Sequence, residues 1–425
     1  MRSILETLRA GAVLKRLGPG LITGAADDDP SGIATYSQAG AQAGFDTLWT
    51  VVLTFPLMVS IQMIAARIGR VTGQGLAGVM GRVFPRWLVT SLVALLFIAN
   101  TINIGADLAA MGAAAKLAIG GDEHLFTLGF TVLSLGLQIM APYHRYVRVL
   151  KWLTLVLFTY VAVVFCVKVD WERVALAVVL PHIDWKGGMI TLVVGIFGTT
   201  ISPYLMFWQA SEEVEEEEAD PAARPLLEQP SQARRELSRI RWDTYVGMAF
   251  SNLIAFFIIL TTAATLNTTG HTDIQTSAQA AAALRPVAGD FAFLLFSLGV
   301  IGTGLLAVPV LAGSAAYAIG EARGWRIGLE QKPWEAAGFY SVIAVATLLG
   351  LGVDFSPLDP VKALFWSAVI NGVIAVPIMA AMMVIVSRRQ EMGDFIAGIM
   401  LRVLGWTATA VMGAAAVAMF VFWGQ

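Results

Sequence analysis

The chain has 425 residues, of which 57% are hydrophobic and 14% are charged, with a formal net charge of −2. Its mean hydropathy of +0.72 excludes an ordinary soluble domain, in which about a quarter of the residues are charged. The sequence lacks a basic patch that would indicate nucleic acid as a partner. The single cysteine, Cys166, lies in an apolar run, so we expect neither a disulfide framework nor a thiolate metal cluster. This composition predicts an integral membrane protein.

Eleven segments are long enough to cross the hydrocarbon as helices, which takes about 20 residues each. They lie at 17–44, 47–68, 87–117, 125–142, 147–169, 188–212, 242–266, 290–320, 334–352, 361–386 and 401–423. The stretch before them is mixed in charge and has no apolar core or cleavage site typical of a secretory signal, so we interpret it as a cytoplasmic lead-in. The pattern predicts one multi-pass transmembrane domain over residues 1–425.

Lysine and arginine are distributed unevenly between the two ends of these spans. With the N-terminus inside, 22 of the 28 basic residues fall on the inner side of the membrane and 6 fall on the outer side. The positive-inside rule then predicts a cytoplasmic N-terminus and, for an odd number of spans, a C-terminus outside. The longest hydrophilic stretch, 211–242, is expected in the cytoplasm as a loop or a short surface helix.

The first and sixth spans are interrupted near their middles in the same way. The first contains "DDDPSG" at 27–32, and the sixth contains "GTTISPY" at 198–204. Proline removes a backbone donor, which is costly in hydrocarbon unless the break is buried or lines a wet cavity. Two such breaks, five spans apart, predict an inverted-repeat secondary transporter with its site at the breaks. The alternative is an ordinary proline kink, which we expect at Pro56 and Pro377.

The orientation of the half-helices at the two breaks favours a cation as the transported substrate. The half-helices that precede Pro30 and Pro203 both reach the midplane with their carbonyl ends, which are electronegative. Three carboxylates at 27–29 add to this charge, and neither span has a lysine or arginine in its middle. An anionic substrate stays open as an alternative, because the breaks also supply half-helix N-termini.

Four stretches of the sequence resemble the Nramp divalent-metal transporters. They are "GPGLITGAADDDPSGIATYSQAGAQAGFDTLW", "RVTGQGLAGVMGRVFPRW", "ANTINIGADLAAMGAA" and "GIFGTTISPYLMFWQAS", which are similar to the first, second-to-third, third and sixth helices of that family. The resemblance implies an all-α membrane protein with a LeuT-like 5+5 inverted repeat. The repeats would cover about 17–169 and 188–386, with an extra helix at about 401–423. It further implies a bacterial-type inner membrane, no enzymatic activity and no cofactor besides the transported ion.

The resemblance places a metal site at the first break. The family's Asp-Pro-Gly-Asn motif falls on 29–32, so Asp29 stands at the metal-binding carboxylate and Gly32 replaces the asparagine ligand. The backbone carbonyl of Ala26 stands where the family uses a carbonyl ligand. Asp28 is expected as an outer-sphere or vestibule carboxylate.

In the sixth helix the family's Ala-x-x-Met-Pro-His falls on 199–204. Thr199 therefore opens the motif, Ser202 replaces the methionine and Tyr204 replaces the histidine. Thioether sulfur suits transition metals, whereas oxygen-only sites suit Mg²⁺, Ca²⁺ and Mn²⁺. The smaller residues also enlarge the pocket, which suits an ion that keeps several waters. The pattern is similar to the Nramp-related magnesium transporters of bacteria and favours Mg²⁺, with Mn²⁺ also carried.

Proton coupling has one candidate within the spans. Asp107 matches a carboxylate of the family's proton path, while two family glutamates correspond to Asn100 and Ala110. An intramembrane carboxylate is a functional candidate by default, and a structural hydrogen bond is the alternative. No span is expected to carry a histidine relay, because loops are predicted for all four histidines, His124, His144, His182 and His271.

Further polar residues extend the predicted pathway. Gln209 and Glu213 follow Ser202 on one helix face, and with Glu212 they would line a vestibule that concentrates cations. For the rest of the acidic run, Glu215–Glu218, the favoured interpretation is a solvated helix end. Asn371 lies midway along the tenth span, where the family places a polar side chain that meets the ion; a hydrogen bond to a neighbouring helix is equally compatible.

Two rival functions use the same residues. A LeuT-like carrier of a small organic solute would share the broken helices and would use Tyr204, Phe207 and Trp208 as its pocket. An intramembrane aspartyl protease would use Asp29 and Asp107 as two aspartates that share a proton. Competition among divalent ions in a transport assay identifies a metal carrier, and inertness towards peptides removes the protease. No protein partner is indicated by the sequence.

Overall fold

The computed structural model describes residues 19–140, 152–181, 187–355 and 359–422, and the described residues form helices and no strand. The principal helices are α1 (Pro19–Asp27), α2 (Pro30–Ala43), α3 (Leu48–Thr72), α4 (Arg86–Ile119), α5 (Glu123–Met140), α6 (Phe158–Val164), α7 (Gly187–Thr200), α8 (Pro203–Ala219), α9 (Ala233–Thr265), α10 (Ala292–Arg323), α11 (Ala337–Leu351), α12 (Pro360–Val386) and α13 (Ile399–Val421). Short α-helices occupy Leu76–Val83, Trp171–Val179, Ser277–Ala281, Arg285–Ala288 and Arg389–Met392.

Helices occupy the positions of all eleven predicted spans, with α1–α2 and α7–α8 each forming one broken span. Nine helical stretches of the described residues are long and apolar enough to cross a membrane, and one of them contains both α2 and α3. The fifth predicted span is described only from residue 152 onwards, as a 3₁₀ turn followed by α6. The predicted all-α, multi-pass architecture is confirmed.

Both breaks have the same local structure. Pro30 and Pro203 occupy the first turn of the half-helix that follows, where the missing N–H costs nothing. The residues before them, Asp29 and Ser202, have extended backbone, with ψ of 170° and 136°. That conformation is the one proline imposes on its predecessor. The interruption predicted from the two proline motifs is therefore confirmed.

The broken helices form the centre of the bundle. In the most apolar 18-residue window of Gly188–Ala219, 94% of the residues are buried, whereas the corresponding share is 22% in α5 and 33% in α13. The helix α9 packs along both α1 and α2, and α12 packs along α7. At Gly24 on α1 and Gly198 on α7, an added Cβ would collide with the backbone of the facing helix. Glycine thus permits the close helix approach that buries both breaks.

The structure corrects the prediction for the hydrophilic stretch 211–242. The helix α8 continues to Ala219 and α9 begins at Ala233, so only 220–232 connects them. Glutamate and arginine are good helix formers, and charges on the two helix ends pair with each other, as described below. Pro56 and Pro377 both lie inside continuous helices.

The prediction that all four histidines lie in loops is wrong for His124. This residue occupies the first turn of α5, and its Nδ1 lies 2.7 Å from Oδ2 of Asp354. His271 follows a 3₁₀ turn, as expected of a loop residue. His144 and His182 lie outside the described residues.

Candidate functional site

Three consecutive carboxylates occupy the break between α1 and α2, and each is at most 1% exposed. Because the chain leaves helical geometry after Asp27, the carboxylates turn in different directions. The hydroxyl of Ser251 on α9 donates to Oδ2 of Asp27 at 2.5 Å and contacts Oδ1 of Asp28 at 3.2 Å. Asp29 turns towards α4 instead. The break therefore places its carboxyl groups against two neighbouring helices.

Asp29 begins α2 as its N-cap residue. Its Oδ1 accepts hydrogen bonds from the backbone N–H of Gly32 and the hydroxyl of Ser31, both at 2.7 Å. Its Oδ2 accepts from Nδ2 of Asn103 at 3.1 Å. An ionised carboxylate has about four acceptor positions, so these donors orient Asp29 and leave capacity for an ion.

Asn103 connects the break with the other polar side chains on α4 and α12. Its Nδ2 also lies 3.1 Å from Oδ2 of Asp107, one helical turn away. Its Oδ1 accepts from Nδ2 of Asn371 at 3.3 Å. Asp29, Asp107 and Asn371 are thus brought into one buried network, and Asn103 is at its centre.

The sixth span supplies the facing wall. The Tyr204 hydroxyl donates to the carbonyl of Ala26 at 3.1 Å. If residue 32 carried a Cβ, that atom would lie 3.1 Å from Oγ1 of Thr199 and 3.4 Å from Oδ1 of Asp29. The Ser202 hydroxyl turns back to the carbonyls of Gly198 and Thr199, at 2.7 and 2.9 Å. The space beside Gly32 is thus bordered by oxygen atoms from both breaks.

Several buried oxygen atoms in this region have no hydrogen-bond partner among the described residues. They are Oδ1 of Asp27, Oδ2 of Asp28, Oδ1 of Asp107, Oδ1 of Asn371 and Oγ1 of Thr199. None of the four buried aspartates at the site takes part in the ion pairs found in the described part of the chain. Burying unpaired charge is costly, so the arrangement calls for a cation or protons.

The donors do not form a conventional all-protein metal cage. Within the described ranges, no group of three or more His, Cys, Asp and Glu side chains is arranged to hold a metal ion. The available donors are mixed instead: carboxylate, hydroxyl, amide and backbone carbonyl oxygens, without sulfur. Such a set suits a hard cation that retains waters.

A polar chain leads from the site along α8. Thr23 donates to Oε1 of Gln209 at 2.6 Å, and Nε2 of Gln209 lies 3.3 Å from Oε1 of Glu213. Glu213 is fully buried and pairs with Arg239 of α9 at 2.5 Å. Oε1 of Glu212 is also buried and has no partner in the described part of the chain. Gln209 and Glu213 therefore lie on one face, as their spacing predicts.

The acidic run beyond Glu213 is more than a solvated helix end. Glu215 accepts hydrogen bonds from the Tyr317 hydroxyl and the backbone N–H of Leu329. Glu217 is 8% exposed and pairs with Arg70 at 2.7 Å. The expectation of a solvated end is therefore wrong for these two residues, which attach α8 to its neighbours because their carboxylates meet donors from other helices.

Asn100 lies apart from the Asn103 network. Its Nδ2 donates to the carbonyl of Leu311 and the hydroxyl of Ser314, at 2.9 and 2.8 Å. It thereby joins α4 to α10. Three further residues of the site, Asn103, Ser251 and Thr23, are not among those predicted from the sequence. The first could have been found, because Asn100, Asn103 and Asp107 recur at helical spacing on one face.

Comparisons with known proteins place this architecture in a family. Residues 20–422 match the Nramp family, described as natural resistance-associated macrophage protein-like. The divalent metal cation transporter MntH of Acidiphilium cryptum is 27% identical over 414 residues, covering 94% of this chain and 87% of that protein.

Solved structures show the same fold at lower identity. A crystal structure of a mutant of the Eremococcus coleocola manganese transporter has a TM-score of 0.73 and 16% identity, covering 95% of this chain and 85% of that one. MhsT in complex with L-phenylalanine has a TM-score of 0.62 and 12% identity, covering 96% and 98%. These likenesses confirm the LeuT-like fold. Since the family match covers nearly the whole sequence, the chain belongs to the Nramp family, whose members are divalent metal transporters and not enzymes.

Proposed function

We propose that this protein carries divalent metal cations through a site between the two helix breaks, with Mg²⁺ favoured and Mn²⁺ also accepted. The observation that supports the proposal most directly is the environment of the Asp29 carboxylate. Its carboxylate is buried, is oriented by three donors and has no basic partner in the described part of the chain. The names of the relatives, a divalent metal cation transporter and a manganese transporter, support the same class of cargo.

The preference for Mg²⁺ is inferred from the space and the donors. Gly32 leaves a narrow gap lined by oxygen atoms, since a Cβ there would lie only 3.1 Å from Thr199 Oγ1 and 3.4 Å from the Asp29 carboxylate. Ser202 contributes no sulfur, and its hydroxyl is engaged by backbone carbonyls. Mg²⁺ dehydrates reluctantly and is usually held by one or two carboxylates with several waters. Asp29 and the carbonyl of Ala26 would be the protein contacts nearest the ion, with Asp28 acting through water.

The remaining pathway residues have assigned roles within this proposal. Asp107 is a proton-path candidate, since one of its oxygens is buried without a partner among the described residues. Asn371 would reach the ion through its Oδ1, which is also buried without a partner among the described residues. Tyr204 supports the Ala26 carbonyl, and Gln209, with Glu212 and Glu213, would line the vestibule. Asn100 would have only a structural part, because it binds α10.

The organic-solute alternative is less well supported. Tyr204, Phe207 and Trp208 are all at most 1% exposed, and the Trp208 ring packs against Tyr317 with centroids 6.0 Å apart. We therefore assign packing to Phe207 and Trp208, while the Tyr204 hydroxyl is bonded to the carbonyl of Ala26. The protease alternative is contradicted by membership in a transporter family, and Asp29 and Asp107 meet through the Asn103 amide.

We place the protein in a bacterial-type inner membrane with its N-terminus in the cytoplasm and its C-terminus outside. The asymmetry of basic residues supports this orientation. The whole chain would act as one transporter unit, with repeats at about 17–169 and 188–386 and an extra helix at about 401–423.

Uptake by the purified protein in liposomes tests the metal site. Asp29→Asn keeps the shape of the side chain and removes its charge, so saturable Mg²⁺ and Mn²⁺ uptake should be lost while the protein remains monodisperse. Asp290→Asn removes the same charge at an exposed position and should transport normally. Wild-type uptake of Mg²⁺ should be inhibited by Mn²⁺. Near-normal uptake by Asp29→Asn would refute the site.

A further inference from the structure

A groove opens on the side of the bundle between α3, α9 and α13, away from the helix breaks. Its volume is about 890 Å³. It is lined by residues of α3 from Phe55 to Arg67, by residues of α9 from Arg234 to Tyr245, and by Gly398 to Leu404 at the start of α13. Because only 33% of the most apolar window of α13 is buried, we interpret this side of the bundle as facing lipid.

The groove is divided into a basic end and an apolar end. Arg67 and Arg234 line it at one end, and Arg241 lies about 10 Å further along α9, one turn before Tyr245, whose ring is 6.4 Å from that of Phe55. No acidic residue is found among the described lining residues. Towards the other end it is lined by apolar side chains such as Phe55, Val59 and Leu404. The separation along α3 from Arg67 to Phe55 is about 18 Å at the rise of an α-helix, comparable with the hydrocarbon depth of one leaflet.

The three guanidinium groups are available to a ligand. Arg67 uses its Nε for the carbonyl of Phe395, at 2.8 Å, and its two terminal nitrogens have no partner among the described residues. Arg234 and Arg241 are exposed and form no ion pair or hydrogen bond within the described part of the chain. Their neighbours differ: Arg235 pairs with Glu236 at 3.3 Å, and Arg239 pairs with three glutamates. Of the four arginines on α9, the two without a partner among the described residues are thus the two that line the groove.

We propose that this groove binds one anionic glycerophospholipid, whose phosphate contacts the three arginines and whose acyl chains lie along α3 and α13. Arginine binds phosphate oxygens with a planar fork of donors. A headgroup with a net negative charge matches the basic end, and acyl chains match the apolar end. With the orientation proposed above, the basic end faces the cytoplasmic leaflet, where basic pockets between helices bind anionic headgroups. The lipid would connect the ends of α3, α9 and α13.

Lipid titration of the full-length protein in a nonionic maltoside detergent tests this site. Dioleoylphosphatidylglycerol should bind, as seen by native mass spectrometry and by a rise in the thermal melting temperature, and dioleoylphosphatidylcholine should bind far less. Arg234→Gln combined with Arg241→Gln should weaken apparent affinity by about fivefold for each arginine. Arg235→Gln, outside the groove lining, should bind like wild type.

A second pair of variants separates charge from folding. A Cβ at Gly398 meets no atom within 4 Å, and the backbone φ of −59° admits any side chain. Gly398→Glu should repel the phosphate and lose most of the affinity for dioleoylphosphatidylglycerol, whereas Gly398→Gln, of the same size, should retain it. Equal binding of the two lipids by wild type, or equal binding of dioleoylphosphatidylglycerol by the Glu and Gln variants, would overturn the proposal.

Discussion

Gly32 and Ser202 determine how much space and what chemistry surround the proposed ion. A side chain at position 32 would enter the space between Thr199 and Asp29, where the nearest oxygen lies 3.1 Å from the added Cβ. A methionine at position 202 would lose the hydrogen bonds to Gly198 and Thr199 and would add a soft sulfur donor. We expect both changes to alter selectivity, because neither changes the charge of the proposed site.

Gly32→Asn combined with Ser202→Met should therefore shift transport from Mg²⁺ towards Mn²⁺ and Cd²⁺. The smaller pocket disfavours a hydrated ion, and sulfur binds softer metals. We expect the KM for Mg²⁺ uptake in proteoliposomes to rise by on the order of tenfold, or ~1.4 kcal/mol. Gly32→Ala combined with Ser202→Ala, which adds no ligand, should gain no Cd²⁺ affinity. Unchanged Mg²⁺ transport by the first variant, without new Cd²⁺ affinity, would contradict the hydrated-ion interpretation.

Asn103 provides a second prediction, because it orients the carboxylate that would hold the ion. It donates to both Asp29 and Asp107 and accepts from Asn371. Partners of ligating groups typically contribute about 10- to 100-fold in metal affinity. Asn103→Ala should raise the KM for Mg²⁺ by about tenfold or more with a smaller change in maximal rate. Thr101→Ala, which removes a hydroxyl bonded only within α4, should leave the KM unchanged, and an unchanged KM in Asn103→Ala would show that the network is only structural.

The two helix breaks could be predicted from the sequence, whereas several side chains that contact them from other helices could not. Proline and the three aspartates are local signals, because a proline removes a donor wherever it occurs. Ser251 and Thr23 have no such signal: isolated hydroxyl residues in apolar helices usually bond to their own backbone. Their roles depend on which helices face Asp27 and Gln209, which spacing along one helix does not determine.

At the level of helices, paired charges extend α8 and α9 beyond their predicted bounds. Hydropathy predicts that the sixth span ends at 212 and the seventh begins at 242, because charged residues favour solvent over hydrocarbon. In the structure, Arg239 pairs with Glu213, Glu216 and Glu236 at 2.5–3.0 Å. Apolar spans are predictable from composition, whereas this extension depends on charges that meet only after the two helices pack.

Removing Arg239 should destabilise the protein far more than removing its neighbour Arg235. Arg239→Gln leaves Glu213, which is fully buried, without its cation, and breaking a buried pair typically costs about 3–5 kcal/mol. Arg235 is 81% exposed, and an exposed pair contributes about 0–1 kcal/mol. Thermal melting of the purified variants in detergent measures the difference. Glu213→Gln added to Arg239→Gln should restore part of the stability; similar melting temperatures for the two single variants would refute this account.

For the whole molecule, the orientation in the membrane decides which end of the pathway meets the cytoplasm. The acidic run of α8, the basic groove and the starts of α9 and α13 lie at one end. Cys166 follows α6, close to the end of the fifth span, and is exposed. The fifth span starts inside in the proposed orientation, so Cys166 would lie outside. It is the only cysteine in the sequence, which makes it a unique chemical label for that side.

A membrane-impermeant maleimide should therefore label Cys166 in sealed, right-side-out membranes without permeabilisation. Labelling should disappear in Cys166→Ser, which also serves as the background for a reporter at the opposite end. In that background, Arg235→Cys places a thiol at an exposed position at the start of α9 and should react only after the membrane is opened with detergent. Cys166 follows the fifth span and position 235 precedes the seventh. Because these two spans cross the membrane in the same direction, the two labels must respond in opposite ways. Protection of Cys166 together with free labelling at position 235 would invert the proposed topology and would place the vestibule of α8 outside the cell.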